Sequence, residues 1–250
     1  MLLFVDTVNI IFIVLGIALA LAVLVMLGIK WYIFEYNRYA KRKKVDLPIS
    51  ASELARANLD RAGLTDVEVV IKTFKSGYSF RRKKLYITKR MERKATAYSV
   101  SRVMQLVSLA MILDTDEQAR KKSSNIKFMN YGATALFFVM ILVSIVVELT
   151  TSGTASLITL IVLVLSLGFY VFTTIYSIKY GSLIKRANAD AMGYIKNMEI
   201  FDEKDLNRIN KIYNLSVKEY NINTLLSVLY VIYYGLKVIG VVLNIFGKRR

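Results

Sequence analysis

The chain has 250 residues, a mean hydropathy of +0.44, 55% apolar content and a single proline, which is too apolar for an ordinary soluble domain and fits several membrane spans. Lys and Arg outnumber Asp and Glu 35 to 18, a net charge of +17 that in a membrane chain marks cytoplasmic flanks beside anionic lipid in preference to a nucleic-acid surface. With no cysteine and no histidine, disulfides, thiol nucleophiles, imidazole bases and the usual zinc ligands are excluded, so any chemistry must come from carboxylates, Lys, Tyr, Ser or Thr.

In chain order, Val8 to Ile29 carries no charge and is long enough to cross the hydrocarbon core. Only Asp6 precedes it as a charge, and the apolar run continues past Ala18-Leu19-Ala20, so residues 1–30 are expected to stay as an anchor rather than a cleaved signal. The cluster Arg38, Lys41, Arg42, Lys43 and Lys44 then predicts an outside N-terminus and a cytoplasmic continuation.

Residues 31–130 read as a basic linker and a small α+β module. Ser50 and Glu53 have capping-box spacing, Ala51 to Arg61 predicts a helix, and Gly63 a stop. The β-rich runs VEVVIKTF and KKLYIT, joined through SGYSFRRKK, predict two or three short strands. So few strands need a helix to lie on, and the apolar run from Ala95 to Leu113 supplies it.

Residues 131–178 form a predicted transmembrane hairpin, Tyr131 to Glu148 and Ser156 to Tyr176, flanked by Lys121, Lys122 and Lys127 before it and Lys179, Lys185 and Arg186 after it. Residues 179–221 are a mixed-charge helical segment on the cytoplasmic side. Residues 222–250 are an apolar helix with a basic tail; Lys237 interrupts it, so it either spans with Lys237 facing protein or water, or lies partly in the interface. The fold class is therefore an α-helical membrane protein with three or four transmembrane helices and a small cytoplasmic α+β module.

No phosphate-binding G-x-x-x-x-G-K-[ST] or G-x-G-x-x-G pattern occurs. Within the spans only Glu148 is acidic, so paired intramembrane carboxylates are missing. Ser99, Ser101 and Ser108 share one helix with Lys94 at its start, yet serines on a buried helix more often bond back to its carbonyls. The stretch RRKKLYITKRMERK offers Arg81, Arg82, Lys83, Lys84, Lys89 and Arg90 to anionic lipid, each worth on the order of 1 kcal/mol near the surface, or else serves as a solvated entry to the helix. Asn214-Leu215-Ser216 has sequon spacing in a segment assigned to the cytoplasm and is read as chance.

The order of parts, with the module opening SASELARANLDRAGLTDVEV and its Ala55, Gly63, Leu64, Val67 and Val69, resembles the YugP-type membrane zinc metallopeptidases. That resemblance implies a zincin-like module, in which the polar-striped helix bears H-E-x-x-H, two histidines holding zinc around a general-base glutamate. Laid on this chain, the motif falls on Gln105-Leu106-Val107-Ser108-Leu109: Gln105 and Leu109 stand at the histidine positions and Leu106 at the base. The later acidic ligand matches Asn188 in Asn188-Ala189-Asp190-Ala191. The implied activity is therefore not carried over, and neither metal nor cofactor is expected.

Gln105 and Ser108, with Asp190, are then expected to line a relic cleft shaped for an extended peptide. The reading is a metal-free pseudopeptidase acting as a scaffold or regulatory subunit with a membrane-protein partner, in a bacterial plasma membrane. Its rivals are an active peptidase using non-histidine groups such as Ser108 or Asp190, and a structural membrane protein whose basic module grips anionic lipid.

Overall fold

The uncharged run that begins the chain lies within one helix, α1 (Leu2–Ala40), in this computed structural model, which describes residues 2–45, 47–123 and 155–247. The expected span Tyr131 to Glu148 lies outside the described residues. Two further long helices, α5 (Ala155–Lys196) and α6 (Glu203–Gly247), follow the module elements named below. Three helices, Gly16–Ala40, Ile161–Lys196 and Glu203–Gly240, are long and apolar enough to cross a membrane. The expected mixed-charge segment is split between two helices: residues 179–196 end α5, and residues 203–221 run without a break into the final apolar segment as one helix, α6.

By its internal contacts the chain divides into two compact units, each assembled from separated stretches of sequence: 33–128 with 176–221, and the three apolar stretches represented among the described residues by 2–32, 155–175 and 222–247. In the apolar unit, Leu21, Leu24 and Val25 of α1 are more than half exposed, as side chains facing lipid would be. Tyr170 of α5 stacks on Tyr230 and Tyr234 of α6, with ring centroids 4.6 and 5.3 Å apart. Lys237, the charge that interrupts the last segment, places its ammonium 4.7 Å from the centre of the Tyr233 ring, a cation–π contact that softens the cost of a cation there.

The other unit holds the module. Ser50 Oγ accepts from Glu53 N at 3.3 Å and Glu53 Oε2 accepts from Ser50 N at 2.7 Å, so the expected capping box starts α2 (Ala51–Arg61). Gly63, at φ +74, ends it in a Schellman turn: Leu64 N donates to Leu59 O at 2.9 Å and Gly63 N to Asp60 O at 3.0 Å, while Leu59 and Leu64 enter the core. Arg56 carries the chain onward by donating to Leu64 O at 2.8 Å and to Val67 O.

The sheet has three strands, β1 (Glu68–Lys72), β2 (Gly77–Ser79) and β3 (Lys84–Thr88), in the order β1-β3-β2. β1 pairs with β3 in parallel, Glu68 opposite Lys84, and β2 pairs with β3 antiparallel, Tyr78 opposite Leu85. The connection SGYSFRRKK thus contributes its own short strand and a turn, which gives the chain room to return in parallel. As the central strand, β3 is apolar and buried at Leu85, Tyr86 and Ile87 in succession.

A short helix, α3 (Lys89–Arg93), leads into α4 (Ala97–Thr115), capped by Thr96, and a further helical stretch covers 117–123. α4 is the hub, because residues on all its sides are buried: Val103, Met104 and Val107 join α2 and β3 to Ala191, Ile195 and Ile209 of α5 and α6 in one core. Leu109, Ile112 and Leu113 pack with Leu183 and Ala187 in a second cluster. α5 and α6 approach closely at Gly181, where a Cβ would come within 3.1 Å of Tyr220 Cβ, tighter than ordinary contact allows.

Candidate functional site

Helix α4 carries the polar pair that interrupts its apolar surface, and the two residues behave differently. Gln105 is 3% exposed and fully engaged: its Nε2 donates to Asn188 Oδ1 of α5 at 2.5 Å, and its Oε1 accepts from Arg102 Nη1 one turn earlier. Asn188 Nδ2 in turn donates to Ser216 Oγ at 2.8 Å and to Tyr213 O at 3.2 Å on α6. Ser216 Oγ donates to Tyr213 O at 2.9 Å, and the Tyr213 hydroxyl returns to α4 by donating to Ser101 O at 2.9 Å. Every amide atom of this buried relay has a partner, and three helices are joined by it.

Two sequence-matched positions 83 residues apart, Gln105 and Asn188, are therefore in direct hydrogen-bond contact. The other matched positions hold no polar group: Leu106 is buried in the main core and Leu109 in the second cluster. A zinc ion does not fit these residues. Leucine donates nothing, and both amide oxygens already accept hydrogen bonds, one from a guanidinium whose charge would repel a cation. Among the described residues, no three His, Cys, Asp or Glu side chains converge elsewhere.

Ser108 is wholly buried, and its hydroxyl has no hydrogen-bond partner among the described residues. Ser101 behaves as expected for a buried helical serine, its Oγ donating to Tyr98 O at 2.9 Å, whereas the Ser99 hydroxyl pairs with the capping hydroxyl Thr96 Oγ1 at 2.9 Å instead of a carbonyl. Asp190 is exposed, two residues and so more than half a helical turn from buried Asn188. The structure therefore brings Gln105 and Asn188 together and leaves Asp190 on the opposite face of α5.

The six cations of the basic stretch do not form one free patch. The Lys83 ammonium pairs with Asp114 and, at 3.3 Å, with Asp66; Lys84 pairs with Glu68 at 2.6 Å. The hydrogen bond to Asp114 raises the Lys83 pKa above its ordinary value, and Lys84 is raised likewise by Glu68. Arg81, Arg82, Lys89 and Arg90 are exposed and form no ion pair among the described residues.

Sequence reasoning missed Arg102, Tyr213 and Ser216. Arg102 was findable, since it lies three residues before Gln105 on one helix face. Ser216 belongs to the sequon-like triplet read as chance, and nothing local signals a partner on another helix. Compared with protein-family models, curated proteins and solved structures, the chain matches none.

Proposed function

We propose that this protein is a metal-free relative of the YugP-type membrane zinc peptidases that acts by binding, as a scaffold or regulatory subunit for a membrane-protein partner. The reading places it in a bacterial plasma membrane with its N-terminus outside and its α+β module in the cytoplasm, following the basic flanks of the apolar helices. One observation carries it: the two side chains at the matched ligand positions, Gln105 and Asn188, satisfy each other across α4 and α5 where the family reading would put a cation. An amide pair of this kind holds the helices together without chemistry. Fold alone does not fix function, so the support comes from the site.

The active-peptidase reading draws no support from the geometry, because Ser108 is enclosed and Asp190 faces away from the relay. Elemental analysis of the purified full chain is expected to give no stoichiometric zinc, and casein cleavage sensitive to EDTA is expected to be absent. Stoichiometric zinc with chelator-sensitive turnover would overturn the proposal. Affinity purification from native membranes is expected to bring down one partner in constant ratio, the mark of a subunit.

A further inference from the structure

Backbone pairing brings the residues just after α1 against the start of α4: Val45 N donates to Ala95 O at 3.0 Å and Ala97 N to Lys43 O at 3.2 Å. α3 closes a third side. The result is a cavity of 240 Å³ into which Lys41, Arg90, Lys94 and Arg102 converge, with the Thr96 and Ser99 side chains on its wall. It contains no acidic lining residue. Glu92, the carboxylate of α3, is turned away to α2, accepting from Ser52 N at 2.9 Å and Ser52 Oγ at 2.6 Å.

Four like charges around one small space repel one another unless something neutralises them. None of the four forms an ion pair among the described residues, and the Lys41 pKa is lowered by burial and by the nearby Arg90 charge. Lys41 Nζ finds only the face of the Tyr98 ring, 4.6 Å from its centre. Arg102 spends one N–H on Gln105 and keeps its other donors. Two guanidiniums suit a tetrahedral oxyanion bonded at two oxygens, and two ammoniums add countercharge beside the one O–H that the mutually bonded Thr96 and Ser99 hydroxyls leave free. The volume falls below the roughly 300–1,000 Å³ of drug-sized ligand sites, which fits a single charged head.

We propose that this cavity is a phosphate-binding site, holding a phosphate group through Lys41, Arg90, Lys94 and Arg102. The phosphate is either that of a lipid headgroup, since Lys41 directly follows the first apolar helix, or free inorganic phosphate. The site stands apart from the proposed scaffold role and does not depend on it.

The test is native mass spectrometry of the full chain from maltoside micelles, titrated separately with inorganic phosphate and with phosphatidylglycerol at fixed ionic strength. A saturable one-to-one adduct is expected with at least one of them, and which one names the source. The double variant R90Q/K94Q should weaken that adduct about tenfold or more, because two charge-assisted contacts are lost. The charge-matched control R81Q/R82Q, altered outside the cavity, should stay within about twofold by the same scale. All four side chains are exposed, so both doubles should keep the parent's circular dichroism. Equal weakening in both doubles would reduce the binding to overall charge and overturn the site, as would the absence of a one-to-one adduct with either probe.

Discussion

The same three long helices serve two different solvents within one chain. In the stretches apolar enough to span a membrane only 11% of residues are buried inside the protein, and side chains such as Leu24, Val164 and Ile232 are exposed. In the unit built around α4, side chains such as Leu59, Ile87 and Met104 are removed from solvent almost entirely. The apolar unit relies on its surroundings for the burial of its side chains, and the α4 unit makes its own interior, where a polar group left without a partner is costly. That difference explains why the buried amide relay occurs in the second unit, and why Lys237 in the first needs no more than an aromatic face.

Truncation is the harshest way to break the comparison. Ile87→Ala in the central strand should cost about 2–5 kcal/mol of stability, the usual cost of emptying a filled core position. Leu24→Ala, 64% exposed on α1, should change the unfolding of the α4 unit by less than about 0.5 kcal/mol. Denaturant unfolding in mild detergent, followed by near-ultraviolet circular dichroism, separates the two. Similar losses for both would mean that α1's exposed face packs on protein after all.

The relay allows a sharper cut. Gln105→Leu strands Asn188 Oδ1 and frees one Arg102 N–H, and Asn188→Leu strands Gln105 Nε2 while Ser216 keeps its bond to Tyr213 O, so each single change should cost about 1–3 kcal/mol. The double replacement should cost less than the sum, with a coupling of about 0.5–3 kcal/mol in a double-mutant cycle. Strict additivity would show that the two amides do not depend on each other, and would remove the observation that carries the scaffold reading. At the edge of the same unit, Ser50→Ala loses one half of the capping box and should cost about 1 kcal/mol.

Local signals were legible and non-local ones were not. The Ser50–Glu53 box, the Gly63 stop and the two strand runs stand at their expected residues because each is encoded within a few positions. The strand β2 hides in SGYSFRRKK, where glycine and four adjacent cations mask a three-residue pairing that exists only because β3 lies beside it. For the candidate site, Gln105 was visible as a polar interruption of an apolar stretch, and Asn188 only as the position that the family resemblance matches to the later acidic ligand. Their contact, and the closure through Tyr213 and Ser216, depends on how α4, α5 and α6 assemble, which no window of sequence contains.

Ser108 tests the comparison more gently. Its buried hydroxyl has no partner among the described residues, so Ser108→Ala removes an unsatisfied group and should leave stability unchanged or raise it by no more than about 1 kcal/mol, read as an unchanged or higher melting temperature. A marked loss of stability would mean that the hydroxyl holds a contact, and loss of a measurable hydrolytic activity would revive the serine reading.

The smallest effect concerns protons at the rim. The Asp116 carboxyl accepts from Ala119 N at 3.0 Å, capping the helical stretch 117–123, and pairs with Arg186 of α5 at 2.6 Å. The Ala119 N–H first and Arg186 second hold its pKa below the ordinary carboxylate value. A group depressed in the folded state contributes stability that is present above its unfolded pKa of about 3.9 and is lost as pH falls through the lower folded value. Amide exchange across 117–123 should therefore quicken on acidification below about pH 4, relative to exchange within α4, whose buried residues include no carboxylate. Asp116→Asn keeps the capping oxygen but cannot titrate, so its exchange ratio should stay flat through that window. A ratio that shifts equally in both proteins would assign the acid response to another carboxylate and separate the rim from the core it borders.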